Sequence, residues 1–109
     1  MANDRVKEAV KLVENFLNQR NIQIEKIIIF GSQTRGDFKN DSDIDIAIVS
    51  KNFEGKDIFE KANMLKGLKW FLAERIPLPF DIIPLSFSEW NGPSLITQFA
   101  KTGFEVNLS

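Results

Sequence analysis

The chain has no cysteine, no histidine and no tyrosine among its 109 residues. Without cysteine there is no disulfide and no thiolate metal site. Without histidine there is no imidazole acid–base group and no histidine-ligated zinc. Carboxylates are therefore the best metal ligands the chain carries, and hard oxygen donors select Mg²⁺ or Mn²⁺. An excess of either charge is also lacking: 14 basic and 15 acidic residues leave a net charge of −1. No basic stripe marks a nucleic-acid track, so no direct nucleic-acid contact is expected. No apolar run reaches membrane length and no signal peptide is recognisable, which predicts a cytoplasmic protein with no membrane partner. Repeats and low-complexity segments are absent. The length suits one domain over residues 1–109, and a hydrophobic content of 43% supplies a core.

What is present is concentrated between Phe30 and Val49. Ile27, Ile28, Ile29 and Phe30 form a short, continuously apolar run that reads as a buried strand. Gly31 follows, where the backbone must turn without a Cβ in the way. Ser32 suits a helix N-cap, with Gln33, Thr34 and Arg35 making one turn before Gly36 stops it. A helix start offers free N–H groups and a positive dipole end, so Gly31 and Ser32 are candidate phosphate contacts. Taken alone, a Gly-Ser pair is common punctuation at a strand–turn–helix junction.

The next strand changes that weighting. Asp43-Ile44-Asp45-Ile46-Ala47-Ile48-Val49 alternates with period two, so Asp43 and Asp45 share one face and Ile44, Ile46 and Ile48 the other. The two carboxylates then lie about 6–7 Å apart at Cβ, from a rise of ~3.3 Å per residue, within reach of one or two cations. Without a cation, two like charges on one strand face repel. A third acid, Asp81, sits in the apolar run Phe80-Asp81-Ile82-Ile83-Pro84-Leu85, where packing does not explain it. If that strand lies beside the others, Asp81 completes a three-carboxylate set of the kind that holds two metal ions in phosphoryl transfer.

The remainder reads as helices around these strands. Residues from about Asn3 to Arg20 carry Val6, Ala9, Val10, Val13, Phe16 and Leu17 at helical spacing, a core-facing stripe. Residues 50–56 read as a polar loop. A single helix is expected from about Asp57 to Arg75, with Ile58, Ala62, Leu65, Leu68 or Lys69, and Leu72 inward. Phe59, Trp70 and Phe71 widen its apolar face beyond what one sheet needs, as a broad core contact or a partner surface. Pro77 and Pro79 end it. In the tail, a helix from Pro93 to about Thr102 and a short strand over residues 104–108 are expected.

Gly31-Ser32-Gln33-Thr34-Arg35-Gly36 followed by Ser42-Asp43-Ile44-Asp45, with Asp81 on a later strand, resembles the Gly-Ser-x-x-Arg-Gly and Ser-Asp-x-Asp signatures of the polymerase-β-type nucleotidyltransferase superfamily. The closer likeness is to its minimal nucleotidyltransferases. The resemblance implies a small nucleotidyltransferase fold, α/β (α+β), with a mixed sheet of about three to five strands and helices mainly on one face. It implies that Asp43 and Asp45 bind two Mg²⁺ ions, that Asp81 completes the site and takes the acceptor's proton, and that Gly31 and Ser32 hold the outer phosphates of ATP. Arg35 either touches phosphate or pairs with an aspartate to hold the turn. Larger relatives carry an extra helical domain for the acceptor, and 109 residues leave no room for one. An acceptor on a protein partner, or bound across an oligomer, is therefore expected.

Chains of this length are similar to the antitoxin half of HEPN–nucleotidyltransferase toxin–antitoxin pairs. There the antitoxin attaches AMP to a tyrosine of the HEPN ribonuclease toxin. This chain lacks tyrosine, so such an acceptor is not its own. Two other readings stand beside it: a small-molecule nucleotidyltransferase acting as a homo-oligomer, and a non-catalytic antitoxin that masks its toxin by binding.

Overall fold

The computed structural model describes residues 4–30, 44–77, 79–93 and 104–106, with the backbone alone at residues 4–5, 30 and 104–106. The order is helix α1 (Asp4–Gln19), strand β1 (Lys26–Phe30), strand β2 (Ile44–Val49), helices α2 (Ile58–Met64) and α3 (Leu68–Arg75), strand β3 (Phe80–Leu85), the short helix α4 (Phe87–Trp90) and strand β4 (Phe104–Val106). The strands form one mixed sheet in the order β3-β2-β1-β4. β1 runs antiparallel to both β2 and β4, while β2 and β3 are parallel. The mixed sheet of the sequence expectation is borne out. Of the helix expected from Pro93 to about Thr102, residues 94–102 lie outside the described residues.

Alternation sorts the sheet into two faces. Ile27, Ile29, Ile44, Ile46 and Ile48 join Val6, Val13 and Leu17 of α1 and Leu68 and Leu72 of α3 in the main core. The opposite face carries a smaller cluster of Ile28, Ala47, Val49 and Leu85, with Ile83 and Trp90 against it. α1 ends as its sequence suggests. Asn21 takes φ 60, Ile22 N donates to Leu17 O at 3.0 Å and Asn21 N to Asn18 O at 3.1 Å. These two bonds are the left-handed helix-ending motif in which Ile22 folds back on Leu17, and both side chains are buried. Among the described helices, none is long and apolar enough to cross a membrane.

Three local expectations are corrected. The loop over residues 50–56 is not wholly polar in environment: a 3₁₀ turn at Lys51–Phe53, capped by Ser50, inserts Phe53 fully into the core. The single helix from Asp57 to Arg75 is two helices, broken where Gly67 adopts φ 91. The break turns α2 over, so Ile58 is 74% and Phe59 81% exposed while Lys61 is buried. Lys61 Nζ meets Glu89 of α4, and Glu89 also accepts from Ser86 N at 3.0 Å within a Ser86/Glu89 capping box. At the other end of α2, Arg20 stacks on Phe16 and donates to Met64 O at 2.9 Å, satisfying a carbonyl at the helix end.

Among the described strands β3 lies at the edge of the sheet, and it contains Pro84. Ile44 N donates to Pro79 O at 2.9 Å and Ser50 N to Leu85 O at 3.0 Å. In a parallel ladder bonding direction alternates along the strand, so the odd-numbered residues of β3 bond inward and Pro84 occupies a position whose N–H would point away from β2.

A Cβ at Gly67 would meet only ordinary contacts, the nearest being Arg20 Nη2 at 3.8 Å. The expected cost of Gly67→Ala, about 1 kcal/mol, therefore comes from the left-handed backbone, and thermal unfolding should show Tm lower by about 4–8 °C. For Glu89, burial raises the carboxyl pKa. The Lys61 and Ser86 hydrogen bonds and the lysine charge outweigh that, so the net is below the ordinary 4.5. Its stabilisation is thus present above pH 4.5 and lost as pH falls through the lowered value. Glu89→Gln should unfold at lower temperature than wild type at pH 7, with the gap closing on acidification.

Candidate active site

β2 places the functional acid by its period. Ile44, Ile46 and Ile48 are fully buried on the helix-covered face, so Asp45 must point to the other face with Ala47 and Val49. The same rule puts Asp81 of β3 on that face with Ile83 and Leu85. The parallel register then decides the geometry: Asp45 pairs with Asp81, as Ile44 pairs with Phe80 and Ile46 with Ile82. Neighbouring strands lie ~4.8 Å apart, so the carboxylates emerge side by side at one end of the sheet. Asp45 is partly buried and Asp81 is exposed.

On its other side Asp45 pairs with Phe30, the last residue of β1. Because β1 and β2 are antiparallel, residues 31–43 connect the strands at this same end. Gly31, Ser32, Arg35 and Asp43 belong to that connection and lie outside the described residues. Among the described residues no group of three acids gathers as a metal site; Asp45 and Asp81 are the two brought together. Two carboxylates at matched register positions at a sheet end fit a hard divalent cation in donor chemistry and in access.

A residue that sequence reasoning did not single out for the site joins them. Lys69 Nζ, on the first turn of α3, stands 3.7 Å from Asp81 Oδ1. The pattern of residues 57–75 leaves Leu68 or Lys69 as inward candidates. Leu68 is the buried one, and Lys69 is free to reach the strand edge. Only the packing of α3 beside β3 reveals the contact.

Comparison with known proteins bears on the family and the fold. Residues 10–103 match the family model described as a nucleotidyltransferase domain. A candidate protein adenylyltransferase of Methanocaldococcus jannaschii is 30% identical over 103 residues, covering 93% of this chain and 94% of that protein. The crystal structure of a candidate nucleotidyltransferase from Sulfolobus solfataricus is similar with a TM-score of 0.51 and 25% identity, over 82% of this chain and 79% of that one. That likeness bears out the small mixed-sheet fold.

If the paired carboxylates hold a cation, Mn²⁺ should stabilise the folded chain. At ten times its dissociation constant the gain is about 1.4 kcal/mol, a rise in Tm of several degrees. Asp81→Asn should lose most of that rise in a thermal-shift titration.

Proposed function

This chain belongs to the nucleotidyltransferase domain family, and on that footing we propose that it is a Mg²⁺-dependent enzyme transferring AMP from ATP to a hydroxyl of a protein partner. The observation that carries the reading is the register pairing of Asp45 with Asp81 at the sheet end where residues 31–43 join β1 to β2. Asp43 is proposed as the third carboxylate, and Gly31 and Ser32 as the grip on the outer phosphates, with Arg35 beside them.

In the proposed reaction the acceptor hydroxyl oxygen bonds to the α-phosphorus of ATP. The bond from that phosphorus to the bridging oxygen of the β-phosphate breaks, and pyrophosphate leaves with the electron pair. Asp81 takes the hydroxyl proton. Asp43, Asp45 and Asp81 would hold the Mg²⁺ ions, whose charge would offset that of the triphosphate. The rest is positioning and charge neutralisation, which suits a chain without histidine or cysteine.

A protein acceptor is supported by two features. The Methanocaldococcus relative is named as a protein adenylyltransferase. Ile58, Phe59 and Trp70 are each more than 70% exposed, and large aromatic and apolar side chains of this kind are enriched at interfaces. The partner we propose is a HEPN-type ribonuclease toxin with a tyrosine as acceptor, which would make this chain its antitoxin.

The test is an intact-mass spectrum of the protein that co-purifies with the tagged chain, wild type beside Asp45→Ala. Adenylyl adducts on the partner with wild type, reduced by roughly 100-fold or more in the variant, are expected for loss of a charge-stabilising group. A partner bound but unmodified in both would sink the enzymatic reading in favour of masking. Turnover on small molecules with no partner at all would sink the protein acceptor.

A further inference from the structure

We propose that Lys69 is a positioning residue for this site: its ammonium is the counter-charge that holds Asp81 beside Asp45 until a divalent cation takes its place. The inference rests on Asp45 and Asp81 being the cation ligands proposed above.

The case starts from repulsion. Asp45 and Asp81 are matched positions on adjacent strands, and like charges placed so destabilise a sheet. Lys69 Nζ at 3.7 Å from Asp81 Oδ1 supplies an opposite charge where that repulsion acts. Its origin is fixed, because the flanking Leu68 and Leu72 of α3 are fully buried in the core. Its route is fixed as well. α3 lies on the helix-covered face and Asp81 points to the other. β3 is the edge strand, so a long side chain from the helix layer can round the sheet there.

The head remains movable. Both partners are more than half exposed, at 65% and 58%, so the contact is weak and screened. Lys69 borders an apolar cavity of about 290 Å³ lined also by Ile58, Ala62, Leu65, Ile82 and Pro84. A lysine stem lies along such a surface while its charged head keeps to water. The ammonium can therefore leave Asp81 without dragging α3 from the core. Among the described cations, Lys61 meets Glu89 and Arg75 stacks on Phe71.

A cation entering the free protein must displace Lys69. Removing the ammonium should therefore tighten binding, the reverse of what loss of a supporting contact would do. The experiment is a Mn²⁺ titration followed by electron paramagnetic resonance, without nucleotide, at low salt. Wild type is compared with Lys69→Gln, Lys66→Gln and Asp81→Asn. Lys66 is exposed and carries the same charge, so its variant reports any whole-molecule field.

The expected result is weaker binding for Asp81→Asn, no change for Lys66→Gln, and roughly threefold tighter binding for Lys69→Gln, the scale of an exposed ion pair. That gain should shrink in ~1 M salt, where the Debye length is ~3 Å. Asp81→Asn weakened while Lys69→Gln equals wild type, binds more weakly, or is matched by Lys66→Gln would overturn this inference alone. Asp81→Asn binding as tightly as wild type would overturn the cation site with it.

Discussion

The parallel register of β2 against β3 is the constraint on which the rest depends. It aligns Asp45 with Asp81, and it does so because Ile44, Ile46 and Ile48 are committed to the opposite face. The relative sizes of the effects explain why the arrangement holds. Burying one isoleucine side chain is worth about 1.5–3 kcal/mol, and three of them act together. An unfavourable cross-strand pair costs about 0.2–1 kcal/mol. A slip of one residue would relieve the acids and expose the isoleucines, so the register does not slip. The backbone positions that carry the carboxylates are matched by hydrophobic forces acting on the other side of the sheet.

This also explains which parts could be read from sequence. The period of two in Asp43–Val49 and the lone acid in Phe80–Leu85 state the strand faces directly, and the described Asp45 and Asp81 fall where that pattern puts them. α1 was legible for the same reason: its apolar stripe and the Asn21 ending are local signals. Residues 57–75 were not. Helical spacing runs straight through Gly67, and a single glycine inside a good helical pattern is a weak marker. Its left-handed φ, with Arg20 and Phe16 of α1 close by, shows only in the packed fold. Once the helix breaks, Ile58 swings outward and Lys61 inward, a reversal that depends on Glu89 in a different helix. The Ser86–Glu89 capping box was a readable signal for α4; the contact of Lys69 with Asp81 had none, because it joins elements only through the packed fold.

The molecule thus separates its tasks by face. One face of the sheet carries α1 and α3 and most of the buried apolar surface. The other gathers the acids at one end and the small cluster of Ile28, Ala47, Val49 and Leu85 beyond them. α3 belongs to both, since Leu68 and Leu72 anchor it in the core while Lys69 between them reaches Asp81. With such a division the exposed end can change while the core that fixes the register stays the same.

Pro84 has a consequence for how the chain behaves among its own copies. An edge strand offers a row of N–H and C=O groups that another edge can zip onto, which is the first step toward fibrous aggregates. β3 is such an edge, and its outward-facing positions alternate with those bonded to β2. Proline at one of them deletes a donor from the open side and costs the native ladder nothing. The strand that presents Asp81 to solvent is thereby a poor template for stacking, and the protein can leave its acids accessible without leaving its backbone adhesive.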